Sequence, residues 1–320
     1  MLNPTLKDLS QHLGVDISTV SRALNGSPRV KEATRQHILD EANRLGYRPN
    51  LNARRLQSGR TKTVYFILPS LYDQERIPAE EATKVLAKAG YDTLLAVHHH
   101  DEHALKRLIH RLSEGVADGA LIISDRQHLL ANSLKPLVQQ GFPILFLDRP
   151  LEKLNLPVVT SQNRKGASDL ITKMHEDGVQ HVLVNLPPIN AVQKERAKGF
   201  EMGIKKNGLT LLPLGSKNSP MNGQEPAPIG LLGNSQDHVL HTLRDHVWLK
   251  DHPLVFGVFD AWSGDPHPAS HVYTAIQNFG SMGNRAANRL LHWMQKGTPP
   301  KNLTENVPLK EVSKVLPLWT

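Results

Sequence analysis

This sequence predicts two fold classes in one chain: an all-α headpiece over about the first sixty residues, then a two-lobed α/β domain. Three observations carry this. Residues 1–62 hold 11 Lys/Arg against 5 Asp/Glu, whereas the remaining 258 hold 27 against 25, so positive charge is concentrated at the start. Apolar residues in the first segment recur at helical spacing and are punctuated by glycine stops. Beyond Lys62, short apolar runs alternate with helical stretches, the pattern of a parallel sheet covered on both faces. The 320 residues, 39% of them hydrophobic, suffice for two or three domains with real cores.

In the headpiece, Thr5 and Asp8 form an N-cap pair, with Leu6, Leu9 and Leu13 at helical spacing and Gly14 as the stop. Asp16 or a neighbour caps a second helix, ISTVSRAL, which turns Val20, Ala23 and Leu24 inward and stops at Asn25-Gly26. A third helix is expected from about Lys31 to Leu45, with Ile38, Ala42 and Leu45 inside, Gly46 ending it and Tyr47 packing back. Two short helices joined by a tight glycine-containing turn make a helix-turn-helix. The N-terminal residues of its second helix meet base edges in the major groove. That nominates Ile17 for a thymine methyl, Arg22 for a guanine, and Ser18. Thr19, Ser21, Asn25 and Arg29 suit phosphates, which set register without reading sequence. A small basic bundle with no such role is the alternative.

After Pro49, Asn50 can cap a short helix on which Ala53 and Leu56 share a face beside Arg54 and Arg55. An apolar wedge flanked by arginines suits a kinked minor groove; an ordinary basic linker has the same composition.

The expected strands are 64–69, 93–97, 120–124, 144–148, 158–161, 181–186, 229–233, 255–260 and 272–276. Helical segments are expected near 79–89, 102–114, 128–140, 164–177, 192–207, 235–247 and 282–296. The first lobe is placed at about 63–160 with a returning piece at 278–300, the second at about 161–276 with 301–320. Ligands of such folds bind between lobes, outside the carboxyl ends of the strands.

From Thr5 to Gly59 the sequence resembles the headpiece and hinge of the lactose-repressor (LacI/GalR) family, through TVSRALNG, GYRPN and the A-x-x-L of the hinge. The resemblance continues more weakly through VADGALIIS, ILFLDRP, the R-x-x-G-F of Arg196, Gly199 and Phe200, GVFD ending at Asp260, and Gln277 followed by Gly283, Ala286 and Ala287. It implies a helix-turn-helix domain at 1–48, a hinge at 49–62, and a periplasmic-binding-protein-like domain over 63–320. It further implies a homodimeric transcription regulator, in the first instance a repressor, on a near-palindromic double-stranded DNA operator. Its hinge helix orders on DNA and inserts its leucine, here Leu56. The candidate DNA contacts are Thr5, Ile17, Ser18, Thr19, Ser21, Arg22, Asn25, Arg29, Tyr47, Asn50, Ala53, Arg54 and Leu56. Effector contacts implied at matching positions are Asp125, Asp148, Arg196, Asn234, Asp260 and Gln277, a set suited to the hydroxyls of a sugar or derivative. Trp262 is a candidate either to stack on a sugar face or to pack in the core.

Three departures stand out. Asp16 replaces the family's serine, and near a phosphate it would repel. Ser235 replaces the aspartate beside Asn234. Between Leu209 and Ile229 only a Gly- and Pro-rich stretch remains where the family has a strand, a loop and a helix, so a loop is expected. A trimmed second lobe leaves open a constitutive regulator whose cleft is vestigial or binds a protein. A sugar-binding module with an inert headpiece is the third reading.

The chain has no cysteine, which excludes disulfides and thiolate metal sites and fits a reducing compartment. Its start lacks an apolar signal core and no run approaches about 18 apolar residues, so a cytoplasmic protein, nucleoid-associated on DNA and off the membrane, is expected. His98, His99, His100, Asp101 and His103 suggest a metal, but at a strand-to-helix junction a solvated loop is the expectation. No P-loop, nucleophile elbow or assembled catalytic set is present, so neither cofactor nor catalysis is expected.

Overall fold

The computed structural model describes residues 4–48, 59–124, 126–151, 153–215, 227–260, 262, 267–298, 304–307 and 311–315; the side chains of 127, 128, 304–307 and 311–315 lie outside that description. The chain divides into two compact units, 1–61 and 62–320.

In the first unit, α1 (Leu6–Leu13) opens on a complete capping box. The Asp8 amide donates to Thr5 Oγ1 at 3.2 Å, and the Thr5 amide donates to Asp8 Oδ2 at 2.8 Å. Gly14 ends the helix in the left-handed region, φ 62°. Asp16 caps α2 (Ile17–Leu24), accepting from the Ser18 amide at 2.8 Å. The third helix, α3 (Glu32–Arg44), closes a core of Leu9, Val20, Ala23, Val30, Ile38 and Ala42, with Leu24, Leu45 and Tyr47 packed around it. Arg35 holds the turn before α3, donating to the carbonyls of Ser27 and Val30 at 3.1 and 3.4 Å.

Glu41 ties α3 to α1. It accepts from Arg44 and lies 3.0 Å from His12 Nε2, and these hydrogen bonds, Arg44 first, pull its carboxyl from an ordinary 4.5 down to about 2. A depressed carboxylate stabilises the fold above its unfolded value and loses that contribution as pH falls toward its folded one. The headpiece is therefore expected to weaken between about pH 4.5 and 2. In Glu41→Gln this dependence should flatten when the amides of Leu9 and Ile38 are followed by NMR.

The second unit holds two six-stranded sheets. The first has the order β2-β1-β3-β4-β5-β11, with β1 (Thr63–Leu68), β2 (Asp92–Val97), β3 (Gly119–Ile122), β4 (Ile144–Leu147), β5 (Val158–Ser161) and β11 (Thr304–Val307). The second has the order β7-β6-β8-β9-β10-β12, with β6 (His181–Asn185), β7 (Thr210–Leu211), β8 (Ile229–Gly233), β9 (Leu254–Phe259), β10 (His271–Ile276) and β12 (Glu311–Val315). The two orders repeat one topology, and every pairing is parallel except β10 with β12. The helices are α4 (Asp73–Lys88), α5 (Glu102–Ser113), α6 (Gln127–Gln139), α7 (Asn163–Glu176), α8 (Ala191–Asn207), α9 (Gln236–Asp245) and α10 (Phe279–Lys296).

Successive residues of β1 face opposite sides and both sides are covered. Val64, Phe66 and Leu68 pack with Ala82 and Leu86 of α4 and Ala286 and Leu290 of α10. Tyr65 and Ile67 pack with Leu105 of α5 and Leu130 and Leu134 of α6. The second lobe repeats this, with Val182 and Leu232 against α7 and Leu183 and Leu231 against Val239 of α9. Two glycines set the helix pairs. A Cβ at Gly283 would collide with the Pro78 carbonyl of α4, and one at Gly199 with the Arg164 carbonyl of α7.

Four sequence expectations are corrected. Residues 301–320 do not all join the second lobe, because β11 pairs with β5 of the first. The helix expected at 79–89 begins at Asp73, with Pro78 inside it. Proline costs no bond in the first turn of a helix, but Pro78, the sixth residue, removes one i→i−4 bond; the close seat of α10 on Pro78 supports the helix there. The stretch after Leu209 holds a short strand, Thr210–Leu211, paired with β6; residues 216–226 lie outside the described residues. His98 is fully buried rather than in a solvated loop, whereas His99, His100, Asp101 and His103 are exposed.

Candidate nucleic-acid interface and ligand cleft

On α2, burial of Val20 and Ala23 turns the opposite side outward. Ser18, Arg22 and Asn25 are exposed there at i, i+4 and i+7, with Ser21 and Thr19 half-buried beside them. Ile17, the first helical residue, is an apolar side chain 42% exposed. Arg29 is exposed in the following turn. Three candidates have structural duties as well: Thr5 is held in its capping box, Asn25 Nδ2 donates to the Ser21 carbonyl at 2.8 Å, and Tyr47 packs on the bundle core. The Ser18 hydrogen bonds hold the Asp16 carboxyl below its usual range, so it stays charged beside this face. Asn50, Ala53, Arg54 and Leu56, and with them the hinge wedge, lie outside the described residues, as does Asp125.

In the second unit the matched topology places ligand candidates at matched strand ends. Asp148 follows β4 and Asp260 follows β9, its counterpart. Both adopt the left-handed region, φ 61° and 65°, a conformation that Asp tolerates better than most residues. Each is fastened to the neighbouring strand: the Asp148 amide donates to the Val159 carbonyl at 2.8 Å, the Asp260 amide to that of Ala275 at 2.9 Å. Asn234 follows β8 and Gln277 follows β10. Gln277 Nε2 donates to Asp260 Oδ1 at 3.0 Å.

Arg196 is the hub. The close seat of α8 on α7 at Gly199 lets Arg196, one turn away, donate through Nε to Asn163 Oδ1 at 2.9 Å, and its Nη1 donates to Asn234 Oδ1 at 2.5 Å. Its guanidinium lies 3.7 Å over the Phe259 ring, and Phe259 meets Phe200 edge-on at 6.4 Å. Burial pulls Arg196 down to about 10, opposed by Asp260 and then Asp148, so it remains cationic at neutral pH. Burial pushes Asp260 up, opposed first by Arg196. Asp148 of the first lobe thus acts on both charged groups of the second.

The first lobe adds a group absent from the sequence candidates. Glu75, in the first turn of α4, is 3% exposed; it accepts from Ser70 Oγ at 3.0 Å and from Arg149 Nη2 at 3.4 Å. Arg149 Nε also lies 3.4 Å from Asp148 Oδ2. Burial pushes the Glu75 carboxyl up, opposed by Arg149. Arg149 stands in the ILFLDRP segment and could have been nominated from it; Glu75 and Asn163 carry no sequence signal. Trp262 packs in the second lobe's core, its ring 5.6 Å from that of Phe256.

A groove of about 1090 Å³ runs along α7 and α8, with Asn163 of the Arg196 cluster in its lining. Its Arg164 and Lys198 are paired with Glu195, and Lys165 with Asp169. Among the described residues no group of three His, Cys, Asp or Glu side chains is placed to hold a metal, and no helix is long and apolar enough to cross a membrane.

Residues 5–50 match the model of bacterial regulatory proteins of the lacI family. That match covers the headpiece, which is similar to the DNA-binding segment of this family. It is 29% identical over 207 residues to the catabolite control protein A of Streptococcus mutans, covering 64% of this chain and 62% of that protein. The aligned part thus spans somewhat under two thirds of this relative. It is 26% identical over 303 residues to the fructose operon regulatory protein of Vibrio cholerae, covering 91% and 86%. A solved lac repressor dimer, bound to operator and an anti-inducer, superposes with a TM-score of 0.76 over 98% of both chains at 17% identity. That likeness shows the fold: a helix-turn-helix headpiece and a periplasmic-binding-protein-like two-lobe domain.

Proposed function

We propose that this protein is a dimeric, sequence-specific transcription regulator of the lacI family, acting as a repressor, whose DNA binding is controlled by a small polyhydroxylated ligand between the lobes. The observation that carries the reading is the outward face of α2, where Ile17, Ser18 and Arg22 are presented without being needed by the headpiece core. Arg22 reads a guanine and Ile17 a thymine methyl in the major groove. Ser21, Thr19 and Arg29 contact phosphates, and Thr5, Asn25 and Tyr47 support that face. Asn50, Ala53, Arg54 and Leu56 supply the hinge and its minor-groove wedge. A two-fold dimer calls for a near-palindromic operator. The dimer is supported by an apolar surface on the first lobe, where Leu71, Tyr72, Leu94 and Leu95 are exposed. The protein works in the cytoplasm, on the nucleoid when bound to DNA, as a regulator and not an enzyme.

Asp125, Asp148, Arg196, Asn234, Asp260 and Gln277 form the ligand site. The linked Arg196 cluster favours a working cleft over a vestigial one, because buried charges at strand ends are costly to keep without use. A ligand shifts operator affinity only if it binds one lobe arrangement better than the other. The relative named for a fructose operon supports a sugar or sugar derivative. A thermal-shift screen of sugars and sugar derivatives, followed by operator titration with each hit, tests this. A hit that raises Tm and changes operator affinity at least several-fold is expected. Hits that leave operator affinity unchanged would favour constitutive binding.

A further inference from the structure

The charge inventory of the cleft bears on which ligands it admits. Both guanidiniums are committed: Arg149 faces Glu75 and Asp148, and Arg196 is engaged by Asn163 and Asn234. Among the described residues, the carboxylates of Glu75, Asp148 and Asp260 stand against these two cations. The unspent groups are acceptors. Asp148 Oδ1 and Gln277 Oε1 are buried with no hydrogen-bond partner, and the amide orientation of Gln277 is set by Nε2 donating to Asp260. Buried acceptors of this kind call for donors, which sugar hydroxyls supply and a phosphate dianion does not.

Resting on the proposed ligand-controlled reading, we propose that Glu75 is a specificity-determining residue that occupies the Arg149 guanidinium and closes the cleft to phosphorylated and carboxylated ligands, leaving it to a neutral polyhydroxylated one. Without Glu75, Arg149 would present its Nη1/Nη2 edge, with Nε still facing Asp148, and two parallel N–H groups on one edge hold a phosphate well. Ser70 and the N-terminal turn of α4 keep the carboxylate in place.

Inorganic phosphate is the probe, titrated calorimetrically into the full chain as wild type, Glu75→Gln, Glu75→Ala and Glu75→Gln/Arg149→Gln, with folding checked by circular dichroism. Phosphate affinity at least tenfold above wild type is expected in both single variants and should be lost in the double variant. The double variant separates the cleft from the basic headpiece, which all four proteins share. Equal phosphate binding in wild type and single variants, no binding in any of them, or a gain surviving Arg149→Gln would each overturn the proposal. If one single variant does not fold, the other carries the comparison. The readout is phosphate uptake, so its failure leaves the DNA-binding reading standing, and a failed ligand screen leaves this test readable.

Discussion

Arg196→Ala is expected to lower the stability of the 62–320 unit by about 3 kcal/mol and to abolish the response to any cleft ligand. Removing one member of a buried charge cluster strands the others, which is why such losses run to about 3–5 kcal/mol when a pair is fully buried. Here Asp260 loses the cation that opposes its burial, and Asn163 and Asn234 lose their donor. For a unit of this size the loss corresponds to a Tm drop on the order of 5–10 °C, read by calorimetry. Arg196→Lys restores charge but neither the two directed hydrogen bonds nor the stack on Phe259, so only partial recovery is expected. A variant as stable as the wild type would show that the cluster is not a connected network.

Gly199→Ala is expected to cost at least about 1–3 kcal/mol, against the usual direction for a helical glycine. In an unconstrained helix, alanine is better than glycine by about 0.5–1 kcal/mol. The new Cβ at 199 would meet both the Arg164 carbonyl and Ala167 Cβ, at 2.7 Å from the latter, so α8 must lift off α7. Arg196 is one turn away and its bond to Asn163 of α7 spans the same seam. The substitution should therefore weaken ligand binding as well as stability. Gly280→Ala is the control: its Cβ would meet Glu81 Cγ at 3.6 Å and Asn278 Oδ1 at 3.9 Å, both ordinary contacts, and a neutral or slightly positive Tm change is expected.

The headpiece was legible in sequence because its signals are local. Caps, glycine stops and the apolar spacing of Leu9, Val20 and Ile38 each act within a few residues. The central strands were legible for the same reason, since strands buried on both faces are continuous apolar runs. β11 and β12 were not, because TENV and EVSKV owe their strand form to sheet edges supplied from elsewhere in the chain, β5 for the first and β10 for the second. The site divided along the same line. Asp148, Asp260 and Gln277 sit at strand ends that the pattern marks. Glu75 and Asn163 acquire roles only when folding brings Ser70 and Arg149, or Arg196, against them. Arg35 is a similar case in the headpiece, a side chain whose partners are backbone carbonyls that no spacing rule identifies.

The central claim is that the α2 face reads DNA sequence, and selection from a randomised DNA pool with the full chain tests it most directly. Enrichment of a near-palindromic site is expected, bound on the order of 10³-fold or more tighter than random DNA. Arg22→Ala should weaken binding to that site by about 1–3 kcal/mol per base pair read, and should relax its sequence preference while leaving affinity for random DNA little changed. A pool with no enriched sequence, or equal losses on selected and random DNA, would contradict the account.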